Sequence, residues 1–239
     1  TFATAFLVAG LTQHRRYNKF LLSLAALAIC VTIPISISRS LILSVGLTTV
    51  TGIAIIALQK NMLLRFVRIG IIACIGVLIA SALPVFDEAK EAFSSRWKTS
   101  TSEHYGGVKT MVVWRIANEF LGPYMNIDKA PVIGAGIGAG TMVGAQYLTG
   151  ERKFYLGEGD WFRIIQESGI LIGTAFIAWR VTLTVHLCKL SIKSLRVGGN
   201  GLAMLLLSAT GFNLLVGQLG QATINGFTIV GIGLTIASM

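Results

Sequence analysis

The residues best placed to do chemistry stand in Gly157-Glu158-Gly159-Asp160-Trp161-Phe162-Arg163, which opens a long apolar run. Asp160 suits a helix N-cap, where a carboxylate accepts backbone N–H bonds and meets the positive end of the helix dipole. Asp160, Arg163 and Glu167 follow at i, i+3 and i+7, so on a continuous helix they share one face. Gln166 lies nearby, and Thr174 extends the same stripe. Ionisable residues that descend into an apolar span mark a substrate path or a reaction site. The simpler alternative is an internal salt bridge from Arg163 to Glu167 or Asp160. Glu158 and Asp160 form a Glu-x-Asp pair, but two carboxylates alone do not define a metal site. The chain has no HExxH, CxxC or DxD, so no metal and no cofactor are expected.

Three further features bear on chemistry. Arg39 stands in Ile37-Ser-Arg-Ser-Leu41, at the end of two apolar runs. It is either a snorkelling anchor or a two-pronged donor to an anionic ligand, since guanidinium matches phosphate bidentately. Gly134, Gly136, Gly138 and Gly140 alternate in Pro131-Val-Ile-Gly-Ala-Gly-Ile-Gly-Ala-Gly-Thr141. A dinucleotide fingerprint needs a strand before it and a βαβ setting, neither of which is present. These glycines instead permit tight turns and close approach of backbone N–H groups to a phosphate. His104, in Ser102-Glu-His-Tyr-Gly106, is a lone histidine that reads more readily as solvated than as catalytic.

The elements that must hold these residues follow from composition. The chain has 239 residues, 54% hydrophobic and only 13% charged. A soluble domain carries about 25% charged residues, so this is a membrane composition. The net charge of +10 is spread over the ends of apolar runs and forms no continuous patch, which argues against a nucleic-acid partner. Cys30, Cys74 and Cys188 sit in or beside apolar runs and indicate no disulfide or metal framework.

A spanning helix needs about 20 mostly apolar residues. The candidates are Thr1–Leu11 (a truncated span), Phe20–Ile37, Leu41–Leu58, Ile69–Val85, Trp161–Trp179 or its continuation to Cys188, Leu202–Leu219 and Ala222–Ser238. Basic clusters at Arg15, Arg16 and Lys19, at Lys60, Arg65 and Arg68, and at Lys189, Lys193 and Arg196 fall between alternate pairs of spans. Placing all three in the cytoplasm lets every span cross once. All ten acidic residues lie between Asp87 and Glu167, in the segment this topology puts outside. The chain begins and ends within apolar runs, which points to a longer protein with further helices on the N-terminal side.

The expected fold is therefore all-α, a polytopic transmembrane helix bundle with a long, partly helical extracytoplasmic loop. Residues 1–86 carry membrane helices, 87–160 the outer segment and 161–239 the remaining helices. Within the outer segment, Asp87–Lys98 and Val108–Leu121 have helical spacing, and Pro123 ends the second.

The order of these features resembles the C-terminal part of the O-antigen ligase and O-antigen polymerase superfamily. The residues that carry the resemblance are Ser38-Arg39-Ser40, Phe93-Ser-Ser-Arg96-Trp97, Arg115 ahead of Pro131-Val-Ile-Gly-Ala-Gly-Ile-Gly138, and Glu158-Gly-Asp-Trp-Phe-Arg-Ile-Ile-Gln-Glu-Ser-Gly169-Ile-Leu-Ile-Gly173. The resemblance implies a glycosyltransferase of GT-C-like architecture in the bacterial inner membrane, with its active site facing the periplasm or cell exterior. It implies an undecaprenyl-diphosphate-linked glycan as donor and a glycan or lipid-glycan as acceptor, among membrane lipids. Arg39, Arg115 and Arg163 would meet the diphosphate and steady its charge as it leaves, and Arg96, Glu167, His104, Gly136 and Gly138 would help bind the substrate. Asp160 or Glu158 would accept the proton of the attacking sugar hydroxyl. Family ligases often carry a His where this chain has Asp160, so Asp160 or Glu158 replaces it, or His104 supplies it, and the departure leans toward a polymerase. A transporter or flippase of lipid-linked saccharides is the rival expectation, with the Asp160–Thr174 stripe lining a path and Glu167 within it.

Overall fold

The computed structural model describes residues 1–12, 18–35, 39–57, 91, 95, 117, 120–125, 131–151 and 159–239, of which 11–12, 19, 30, 33–35 and 39–43 are described by backbone alone. Among the described residues every regular element is a helix and there is no strand. The helices are α1 (Phe2–Thr12), α2 (Lys19–Ile35), α3 (Arg39–Ala57), α4 (Met142–Thr149), α5 (Asp160–Gly198), α6 (Leu202–Val216) and α7 (Ala222–Ala237). The expected span Ile69–Val85, most of the two expected outer-segment helices, and the basic clusters at 15–16 and 60–68 lie outside the described residues.

The chain divides into two compact units. One comprises Thr1–Ser100, Leu187–Gly211 and Ile229–Met239; the other comprises Thr101–His186 and Phe212–Thr228.

In the first unit Ala5, Val8 and Ala9 of α1 pack with Ile55 of α3 and with Leu205 and Leu206 of α6. Small residues set the spacing: a side chain at Gly52 would strike Val8, and one at Gly231 would strike Thr210 and Phe2. Such contacts suit helices that associate by close backbone approach. Thr4 Oγ1 is buried without a hydrogen-bond partner, whereas the buried threonines of the later helices satisfy their hydroxyls within their own helices. Thr48 donates to the Ser44 carbonyl at 2.8 Å, Thr210 to Leu206 at 2.9 Å and Thr235 to Gly231 at 2.7 Å. Asn200 clips two helix ends at once. Its Oδ1 accepts the Leu202 N–H at 3.1 Å at the start of α6, and its Nδ2 donates to the Ser238 carbonyl at 2.7 Å beyond α7. Both bonds satisfy backbone groups that helix ends leave orphaned.

Apolar side chains also face outward. Phe20, Leu24, Leu27 and Val31 are exposed along α2 at helical spacing, where a helix on the surface of a soluble protein would carry polar residues. By length and composition one described helix, α5, could cross a membrane. The apolar stretches Phe20–Ile29, Ser44–Ala57, Leu202–Val216 and Ala222–Ala237 are shorter. α6 is bounded by the Asn200 clip and by the turn over Gly217–Gln221, which ends it before a full span of about 20 residues.

α5 is not a single rod. Gly169 holds φ 82°, ψ 166°, far from helical values, and the chain doubles back there. Three relationships establish the reversal. Asp160 and Arg180 form an ion pair. A Cβ on Gly173 would lie 2.9 Å from the Ile165 Cα. Trp161, Ile165 and Ile177 share one cluster with Val216. In a continuous helix Asp160 and Arg180 would stand about 30 Å apart, at 1.5 Å per residue. The first arm, 160–168, therefore lies folded against the second, 170–198. Only glycine adopts this positive φ cheaply, and a Cβ at 169 would also run into the Val132 carbonyl oxygen. The second arm is on the order of 40 Å long, more than the roughly 30 Å a hydrocarbon core requires.

Candidate functional site

A helix broken at its middle exposes orphan groups on both sides of the break. The glycine-rich segment satisfies them. Ala135 N–H donates to the Gln166 carbonyl at 2.8 Å and Gly136 N–H to the Glu167 carbonyl at 3.0 Å, closing the end of the first arm. The Pro131 carbonyl accepts the Ile170 N–H at 3.2 Å, closing the start of the second. Gly134, at φ 63°, passes so close that a Cβ would collide with the Glu167 carbonyl and the Gly169 nitrogen. The loop then runs into α4, which Thr141 caps by accepting the Gly144 N–H at 3.0 Å and which ends at Gly150 in the left-handed conformation.

Beyond the break the glycine loop makes an anion cradle, and the anion is the chain's own. Gly138 N–H donates to Glu167 Oε2 at 3.2 Å and Gly140 N–H to Oε1 at 2.9 Å. Arg163 Nε lies 3.5 Å from the same Oε1. Backbone donors converging on a carboxylate are charge-assisted bonds, each contributing about 1.5–3 kcal/mol. The close approach to a phosphate expected of Gly136 and Gly138 is thus replaced by internal contacts, since their N–H groups serve the backbone and side chain of Glu167. Of the expected salt bridges from Arg163, the one to Glu167 is present. The Arg163 side chain remains part-exposed, with its Nη2 edge toward Gly220.

Asp160 is placed differently from an open general base. It is 3% exposed, and its Oδ2 accepts from Arg180 Nη1, which is fully buried. Arg180 also donates through Nε to the Leu214 carbonyl at 2.7 Å, and through Nη2 to Gly217 at 2.8 Å and Asn213 at 3.3 Å. These are carbonyls at the C-terminal end of α6, where a cation meets the negative end of the helix dipole. The Phe176 ring, 5.9 Å away, flanks the guanidinium. Trp161 Nε1–H donates to the Leu215 carbonyl at 2.8 Å, and Phe120 meets the Trp161 ring edge-on at 4.9 Å. The head of the first arm is therefore fastened to the end of α6.

The reversal at Gly169 cuts Thr174 off from the polar stripe, and Asp160, Arg163 and Glu167 stay together on the first arm. Asp160 points to Arg180, whereas Arg163 and Glu167 meet the glycine loop. Arg180 was not singled out by the sequence reading, although a lone Arg inside an apolar run demands an acidic partner. Arg39 begins α3 in the other unit, with only its backbone described. Arg96, His104, Arg115 and Glu158 lie outside the described residues. Among the described residues, no group of three or more His, Cys, Asp or Glu gathers to hold a metal.

Comparison with known proteins gives no match to any family model, any curated protein or any solved structure.

Proposed function

We propose that this chain is part of a polytopic glycosyltransferase of the O-antigen polymerase or ligase kind, in the bacterial inner membrane and working at its periplasmic face. It would move a glycan from an undecaprenyl-diphosphate donor to a sugar hydroxyl. One observation supports this reading most. Two of the segments behind the resemblance, 131–138 and 158–173, stand far apart in sequence. Their described parts fold into a single hydrogen-bonded unit with the part-exposed Arg163 at its edge.

In this reading the glycine loop and Glu167 hold Arg163 in place, and Arg163 acts with Arg39 and Arg115 on the diphosphate. Positioned guanidinium groups would neutralise charge as the C–O bond to diphosphate breaks. The sugar hydroxyl oxygen forms the new glycosidic bond and passes its proton to a carboxylate. Asp160 is already paired and enclosed, so the base role goes to Glu158, two residues ahead of it.

A second reading draws on the broken helix. Discontinuous helices whose ends meet at a central site are characteristic of transporters, so a flippase of lipid-linked saccharides is the alternative. One experiment separates the two. Purified protein in detergent, given lipid-linked donor and acceptor, forms a glycosidic bond only if it is an enzyme, because detergent offers no second side. Arg39→Ala and Arg115→Ala should abolish transfer while the protein still inserts. Unchanged product from both variants overturns the proposal.

A further inference from the structure

The region 131–150, assigned on charge grounds to a water-exposed outer segment, has properties that do not suit water. It contains no Asp, Glu, Lys, Arg or His, although Asp128 and Lys129 precede it and Glu151, Arg152 and Lys153 follow. Its two isoleucines point outward: Ile133 is 88% exposed and Ile137 92%. Its first residues are tied to the reversal in α5, through the Ile170 N–H to Pro131 carbonyl bond and the close approach of Gly169 to the Val132 carbonyl. Next to that tie Leu171 and Ile172 are also turned outward, at 73% and 68% exposure. Val132, Ile133, Leu171 and Ile172 thus surround one turn, an apolar tip made by two distant segments.

The backbone at this tip matters as much as the side chains. Irregular backbone in hydrocarbon must satisfy its own polar groups, whereas a loop in water can leave them to solvent. Within the tip the N–H groups of Ala135, Gly136 and Ile170 donate inside the unit, and just beyond it those of Gly138 and Gly140 do the same. The tip is also continuous with the apolar second arm of α5, the one described helix suited to a membrane.

We propose that the tip formed by Pro131–Ile137 and Gly169–Ile172 inserts into the lipid layer as a re-entrant element, with acyl chains covering Ile133 and Leu171. This rests on the membrane reading above and adds to it a second, non-spanning entry into the bilayer. The charged residues on either side, Asp128 and Lys129 before and Glu151 to Lys153 after, bracket the entry and the exit.

The test uses the full chain with Cys30, Cys74 and Cys188 replaced by Ala, in phosphatidylcholine vesicles. Spin labels are placed singly at I133C and L171C, at V185C on the second arm of α5, and at K193C as a water reference; all four positions are exposed, so labelling empties no core. Collisions with oxygen and with a water-soluble nickel chelate are compared. The ratio at I133C and L171C should fall within about two-fold of V185C and lie about ten-fold above K193C, as partition between hydrocarbon and water dictates. Water-like values at I133C and L171C with a lipid-like V185C overturn the re-entrant tip and leave the membrane reading intact. A water-like V185C removes the membrane reading as well. Protection from both reagents together with dipolar broadening marks a second copy on the tip, and also overturns the proposal.

Discussion

Asp160 and Arg180 are joined by an ion pair across twenty positions of sequence, each at the inner side of one arm of a folded helix. The arginine does two things in one stroke. It neutralises the aspartate that heads the first arm, and it caps the carbonyls that end α6. The pair is therefore a three-way joint, with no interchangeable partners.

Removing either charge leaves the other buried alone, which costs about 3–5 kcal/mol. Asp160→Ala and Arg180→Ala should both lower the melting temperature of the purified protein sharply. The exchange of both, Asp160→Arg with Arg180→Asp, should fail to recover it, because an aspartate cannot donate to the Leu214 and Gly217 carbonyls. Recovery in the exchanged variant would show that the pair matters only as a pair.

Gly169→Ala is expected to open the hairpin. An alanine held at positive φ with extended ψ costs about 1–3 kcal/mol by itself, and the methyl would also meet the Val132 carbonyl oxygen. Spin labels on the two arms, at R163C and A178C, should move apart in G169A. An unchanged distance distribution would mean that the reversal does not depend on glycine.

The glycine loop should depend on Glu167. Glu167→Ala removes the acceptor for the Gly138 and Gly140 N–H groups, so these amides should exchange with solvent at least about ten-fold faster, the equivalent of 1.4 kcal/mol per decade. Glu167→Gln keeps an acceptor oxygen and should give a smaller rise. Equal protection in all three proteins would place the loop's order elsewhere.

Arg163 provides the functional counterpart. If glycan transfer uses it as proposed, Arg163→Lys should retain the charge and lose the fork, lowering kcat at least about ten-fold. Melting should be nearly unchanged, since this ion pair is part-exposed and contributes at most about 1 kcal/mol.

Much of the helical character was legible because apolar runs of helical length are a strong signal, whereas the short capped helix α4 after the glycine loop was not read. The face shared by Asp160, Arg163 and Glu167 was read correctly as far as Ser168. The reversal was not legible, since a glycine within an apolar run is equally compatible with close packing in a straight helix. What decides at Gly169 is the Val132 carbonyl and the Ile170 N–H bond, contacts with a segment more than thirty residues earlier. The same distance hid the role of the alternating glycines. Their spacing announces backbone donors but not which acid they receive, and Glu167 lay within the very motif judged to be chemical. Arg180 was missed because it lies outside the polar face read at Asp160–Thr174 and meets Asp160 only through the reversal at Gly169.

The Asp160–Arg180 pair also fixes an order of assembly. Asp160 leaves the ribosome twenty residues ahead of Arg180, whereas the carbonyls of Asn213, Leu214 and Gly217 appear more than thirty residues after it. A solitary arginine at the centre of an apolar helix costs about 2.5–3.5 kcal/mol on insertion scales. Once the chain folds back at Gly169, that charge already has its counter-ion while α6 is still unmade. The first arm thus escorts the arginine through synthesis, and α6, made after both arms, finds a guanidinium oriented to receive it.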